Sequence, residues 1–177
     1  MQLLYHLNIG PPFLGSGSRV HVPTAELWPN NARAAEGLAT WDRYEPPTNG
    51  FVEQVYLIQP RGGADSRTIA LLHDAEARIG LAVRWDTSAL PYFNLWKNTA
   101  GLADGYVTGL EPATGFPRFR AQERAAGRVR TLPPGGRFEA DWSIEVLDSA
   151  ESVASVVEEM AEMQGSAAPV VHREPPA

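Results

Sequence analysis

The sequence predicts a mainly β protein, an antiparallel β-sandwich with one C-terminal α-helix. Three observations predict it. Short runs such as "VEQVYLIQ" and "FEADWSIEV" alternate apolar with polar residues, the period of half-buried strands. Gly (16) and Pro (15) cut the chain into short pieces, with turn clusters "PRGGADS", "DAEARIG" and "LPPGG" between the runs. Many short strands with such turns and few helices pack as a sandwich or barrel.

Taken in order, strands are expected over 3–9, 19–22, 51–59, 68–73, 79–85, 92–97, 106–111, 128–132 and 138–147. The first run, "LLYHLNI", stops at Gly10-Pro11-Pro12, and proline cannot donate to a strand ladder. Between the second and third runs lies "NNARAAEGLATWDRYEPPT", a long connection with one helical turn near 32–37. Connections this long are often functional, though a plain surface excursion reads equally from the residues. In "SAESVASVVEEMAEMQ", Val153, Val156, Val157 and Met160 fall on one helical face, and Asp148 or Ser149 can cap the start. The acidic outer face of this helix suits packing on its own domain better than lying on a membrane. The chain thus divides into a sandwich portion over 1–148, a helix over 149–164 and a disordered tail over 165–177.

Composition narrows the function. At 177 residues, 44% hydrophobic and 20% charged, the chain has the makings of one domain with a real core. The net charge of −6 argues against nucleic acid, which needs a basic face. With no cysteine, disulfides, thiolate zinc sites and thiol catalysis are excluded. No apolar run approaches the ~20 residues that span a bilayer, and no signal peptide is read at the start. A cytoplasmic setting, without membrane partners, is expected.

Two residues stand out as proton handlers. His6 sits between Tyr5 and Leu7 in an apolar run. Glu111 closes the run "GYVTGLE" and is followed by Pro112. Each has a plain reading beside the chemical one. A strand histidine is commonly a structural hydrogen-bonder, and a strand-end carboxylate is commonly a rim charge. Of the other histidines, His21 alternates with Val20 and Val22, His73 precedes Asp74 at a turn, and His172 lies in the tail. No metal-ligand spacing, phosphate loop, dinucleotide fingerprint or nucleophile elbow appears, so no metal site is read.

The same two stretches carry a family likeness. "LYHLNIGPPFL", "WDRYEPPTNGFVEQVY", "LWKN" and "GLEPATGFP", in this order, resemble the aldose 1-epimerase (galactose mutarotase-like) superfamily. Within it they resemble a bacterial branch described as a domain of unknown function. The likeness covers roughly 3–147 and corresponds to the C-terminal half of the superfamily domain. It implies a carbohydrate epimerase that needs no cofactor and whose partner is a small-molecule sugar. His6 would donate a proton to the ring oxygen of a hexose, and Glu111 would take the proton of the anomeric hydroxyl. The ring opens, the C1–C2 bond rotates, and the ring recloses on the other face. Glu53, Asn8, Trp96, Lys97 and Asn98 would bind the sugar, with Tyr92 as a further aromatic wall, although the superfamily usually has Asp where Glu53 stands.

Three expectations follow from that likeness. The ends of His6 and Glu111 should face one concave sheet surface, about a sugar ring apart. A front half, which in the superfamily brings a further histidine and an arginine, is missing, so an apolar face or strand edge should lie uncovered and a partner chain could supply it. Arg19, Arg43 or Arg84 could stand in for that arginine. The isolated chain should then have little activity. The other functional class is a non-catalytic sugar-binding or structural module on the same fold, since fold alone does not fix function.

Overall fold

Two sheets face each other in the computed structural model, which describes residues 1–176. Its strands are β1 (Leu7–Ile9), β2 (Arg19–His21), β3 (Thr24–Pro29), β4 (Gln54–Pro60), β5 (Arg67–His73), β6 (Gly80–Asp86), β7 (Tyr92–Asn98), β8 (Val107–Ala113), β9 (Trp142–Leu147) and β10 (Val170–Val171). The larger sheet has the order β1-β8-β7-β4-β3-β10 and the smaller β2-β5-β6-β9. All pairs are antiparallel except β10 with β3. The mainly β sandwich expected from the alternating runs is what the chain forms.

Side chains alternate across each strand, and the core fills the gap between the sheets. Tyr56 and Ile58 of β4, Phe93 and Leu95 of β7 and Leu110 of β8 meet Ala70 and Leu72 of β5 and Leu81, Val83 and Trp85 of β6. Trp85 is fully buried and stacks on Phe93 at 5.4 Å. Its indole N–H donates to the Leu90 carbonyl at 2.9 Å, so its one polar atom is satisfied.

The outer face of the smaller sheet is covered by α3 (Ala150–Gln164). Val153, Val156 and Met160, spaced on one helical stripe, pack on Ile69, Leu71, Ala82 and Leu147. Ser149 caps the helix in a reciprocal box with Ser152. Arg84 ties the sheet to the helix through Glu159 at 2.7 and 2.9 Å, and pairs with Glu145 at 3.0 Å. Two shorter helices, α1 (Ala32–Glu36) and α2 (Arg120–Ala125), lie in connections. Among the described residues no helix is long and apolar enough to cross a membrane.

Four local expectations are corrected. The segment "TAELWP" forms β3, although its mixed pattern gives no strand signal. Residues 128–132 form no strand. The last long strand begins only at Trp142. The tail is ordered over 165–176: β10 pairs with β3, and His172 stacks on Trp28 at 4.7 Å and bonds Glu26 at 2.8 Å. Its composition hides this, because the pairing partner is over a hundred residues away. Ala177, the end of that segment, lies outside the described residues.

The smaller sheet leaves one edge bare. Ile144 and Val146 pair in register with Val83 and Leu81, so they project to the core side of β9. They are nevertheless 47% and 63% exposed. The expected uncovered apolar edge is there.

Candidate active site

Register decides which side chains can meet. On β8, Thr108 and Leu110 turn toward the core, where the Thr108 hydroxyl meets the Tyr44 hydroxyl at 2.7 Å. Glu111 and Gly109 therefore turn to the outer face of the larger sheet. On β7 their direct cross-strand partners are Asn94 and Trp96. On the other side, Leu7 pairs with Leu110 and Asn8 with Gly109. One step back, His6 lies opposite Glu111. The three strands β1, β8 and β7 thus place His6, Glu111 and Asn94 in one row.

His6 Nε2 lies 2.9 Å from Glu111 Oε1. The histidine side chain is 46% exposed, while that of the glutamate is only 4% exposed. Burial pushes the Glu111 carboxyl up to about 7, with help from the charge of Glu53. A carboxyl poised near neutrality beside a water-exposed imidazole is an acid–base pair able to exchange protons with a ligand.

Gly109 makes this arrangement possible. A Cβ there would sit 2.5 Å from Glu111 Oε1 and 3.1 Å from His6 Cε1. Trp96 borders the pair, its ring edge-on to His6 at 5.6 Å. Its indole N–H donates to Glu53 Oε2 at 2.7 Å, which brings a second carboxylate to the site. Asn8, opposite Gly109, is exposed on the same face.

The loop after β8 closes one side. Asn94 is fully buried under it and donates from Nδ2 to the Gly115 carbonyl at 3.4 Å. Phe116 packs on Tyr92 at 4.7 Å and Trp28 at 5.8 Å. Fully buried Glu123 of α2 accepts from the Phe116 N–H at 3.0 Å and from Arg128 at two positions, both 2.8 Å. That ion pair fixes the loop.

The structure brings His6, Glu111, Glu53, Asn8 and Trp96 together and separates two others. Lys97 points the opposite way, into the sandwich. Its ammonium donates to the Thr40 carbonyl at 3.0 Å and to the Arg43 carbonyl, over the Tyr44 ring at 5.1 Å. Burial pushes it down to about 8, against the pull of Asp42 and Glu45. As a neighbour of Trp96 in a strand it must face the other side. Asn98 shares the outer face, but its amide is taken by the Gly105 carbonyl at 3.1 Å and holds the turn after β7. Tyr92 serves as a packing partner of Phe116. Arg19 and Arg84 belong to the smaller sheet and are paired with Asp42 and with Glu145 and Glu159.

The spacing of the acid–base pair also differs from expectation. His6 and Glu111 touch instead of standing a sugar ring apart, because they face each other across one antiparallel step, where Cβ atoms lie ~5 Å apart. Sequence reasoning missed Asn94 and Gly109. The signal was present: 94, 96 and 98 share one strand face, as do 109 and 111. Among the described residues no group of three or more His, Asp or Glu is placed to hold a metal ion.

Comparison with known proteins agrees with this architecture. One solved structure, described as a "putative aldose 1-epimerase" from Klebsiella pneumoniae subsp. pneumoniae MGH 78578, superposes with a TM-score of 0.97 at 36% sequence identity. The match covers 99% of this chain and 46% of that one, so this chain spans about half the length of its solved relative. No curated protein matches. Residues 1–146 match the model of one family, Domain of unknown function (DUF4432). That match runs over most of the chain, and the chain belongs to the DUF4432 family.

Proposed function

We propose that the chain carries the acid–base centre of a carbohydrate epimerase that interconverts anomers of an aldose by opening and reclosing the ring. The observation that carries the proposal is the contact between half-exposed His6 and buried Glu111, whose carboxyl is held near neutrality. The fold of the Klebsiella relative supports it.

The touching pair suits the chemistry. The anomeric hydroxyl and the ring oxygen are bonded to the same carbon, so two neighbouring groups can serve both. Ionised Glu111 accepts the anomeric hydroxyl proton while protonated His6 donates to the ring oxygen, and the C1–ring-oxygen bond breaks. After rotation about C1–C2, neutral His6 takes the proton back from the open-chain hydroxyl as that oxygen attacks C1. Glu111 then returns its proton to the new anomeric oxygen. Each group ends as it began. Trp96 supplies an apolar wall, and Glu53 and Asn8 supply hydroxyl partners.

This chain spans about half the length of the Klebsiella relative, and the exposed row of Ile144 and Val146 is the surface on which the reading seats the rest of such a sandwich. Orientation contributes much of such catalysis, so the chain alone should show little turnover. The test uses anomeric exchange by NMR on a panel of neutral and phosphorylated aldoses. The chain is compared with a fusion to the complementary part of the Klebsiella protein. Exchange by the fusion supports the proposal. A fusion that binds sugars yet moves no anomer makes this a binding module and sinks the epimerase reading.

A further inference from the structure

The cross-strand row holds a group that the reaction just described does not use. Asn94 is fully buried, and its Oδ1 has no hydrogen-bond partner. A buried amide oxygen without a partner is destabilising, so an orphan of this kind calls for an explanation. The orientation of the amide is set by the loop. The Gly115 carbonyl can only accept, so it takes the Nδ2 end and leaves Oδ1 as the free end. Glu111 lies directly across on the same face. Glu111 Oε1 meets His6 from the β1 side, and Asn94 is the cross-strand neighbour of Glu111 on β7.

We infer that Asn94 is a positioning residue for Glu111, its Oδ1 serving as the acceptor for the carboxyl O–H whenever Glu111 is protonated. The inference rests on the reading of Glu111 as the base of the site. It gives Asn94 a definite role in the cycle. The orphan acceptor finds its partner only once the base has taken a proton, so Asn94 favours the protonated base and keeps its carboxyl turned in one direction. The titratable groups facing Glu111 are His6 from the β1 side and Glu53 from the segment before β4. Asn94 adds a neutral acceptor to these two, and it acts in the same direction as burial, toward a protonated carboxyl.

Carboxyl titration by carbon NMR tests this without any sugar, so its outcome is separate from that of the epimerase assay. Glu111 is assigned by the signal lost in Glu111→Gln. In the wild-type chain the Asn94 side-chain carbonyl carbon should shift with the same midpoint as Glu111, and this shift should vanish in Glu111→Gln. Asn94→Leu, which keeps the bulk and removes the acceptor, should lower the Glu111 midpoint by about one pH unit, the tenfold equivalent of one ordinary hydrogen bond. Asn94→Asp should raise it, because a second carboxylate opposes ionisation. An Asn94 carbonyl that stays silent while Glu111 titrates overturns the inference. So does a folded Asn94→Leu variant whose Glu111 midpoint equals that of the wild type. The wild-type measurement decides the matter if the leucine variant does not fold.

Discussion

Glu111 Oε1 lies 2.9 Å from His6 Nε2, and a β-carbon on Gly109 would intrude to 2.5 Å of the same carboxylate oxygen. The pair therefore depends on a missing side chain as much as on its own members. Under the epimerase reading, Glu111→Gln removes the base that takes the anomeric hydroxyl proton and should cut anomeric exchange by about 10²–10⁴-fold. His6→Asn should lower it comparably. Because Glu111 works ionised, exchange should fall as pH drops below about 7. Relaxation of optical rotation from pH 5 to 9 checks this. A profile flat through neutrality in the active fusion would remove Glu111 as the base.

Gly109→Ala separates site geometry from fold. His6 is half-exposed and can swing outward, so the sandwich should survive with a modest loss of stability. The Glu111 carboxylate is buried and has little room to move. The variant should fold, by circular dichroism and amide NMR, yet lose anomeric exchange and show a displaced Glu111 titration. Unchanged titration would mean that the close approach of Gly109 has no bearing on the pair.

The ionisation of Glu111 also enters stability. Its folded value of about 7 lies above the ordinary glutamate value of 4.5. Its contribution is thus fully present below the unfolded value and is lost as pH rises through the folded one. The difference corresponds to on the order of 3 kcal/mol. Glu111→Gln should match the wild type near pH 4 and be the more stable protein at pH 8, by urea unfolding. A glutamine variant that is less stable at pH 8 would show that the His6 contact outweighs burial.

The alternation in "VEQVYLIQ" and the helical stripe in α3 made the architecture legible, because burial on one face writes a period into the residues. His6 and Glu111 were legible through the order of motifs around them. What stayed hidden depends on pairing across the chain. The step from Leu7–Leu110 to His6–Glu111 is a matter of register, and no local pattern shows it. The same holds for β10, whose partner β3 is distant in sequence. Strand parity alone puts Lys97 on the face opposite Trp96. A charged residue beside an aromatic one reads as a site, and burying an ammonium on main-chain carbonyls is the rarer solution.

Lys97→Met tests that placement. The ammonium fastens the Thr40 and Arg43 carbonyls to the underside of the larger sheet. Its loss leaves two carbonyls without their donor, while methionine retains most of the packing. Stability should fall by about 2–4 kcal/mol, with the segment over 38–44 exchanging amide hydrogens faster. Sugar binding at the outer face should be unaffected. Lost binding with intact stability would return Lys97 to the site.

The last prediction concerns the pair His21 and His73, on the smaller sheet. Their Nε2 atoms are 2.9 Å apart and the rings stack at 5.0 Å. His73 Nδ1 donates to the Asp74 carbonyl at 2.7 Å, so its Nε2 is the acceptor and His21 is the donor. Burial first, then His73 and Arg19, push His21 down to about 4 from the ordinary histidine value of 6.5. The unfolded chain then binds this proton more readily, so the contribution is present above 6.5 and is lost as pH falls toward 4. Glu111 has the opposite slope between 4.5 and 7. The two should nearly cancel, leaving wild-type stability almost level from pH 4.5 to 6.5. Glu111→Gln removes one slope and should lose stability on acidification across that window, by on the order of 3 kcal/mol. His21→Gln removes the other and should gain on acidification instead. Urea midpoints at half-unit steps read both slopes, and two variants that respond to acid alike would refute the opposed pair.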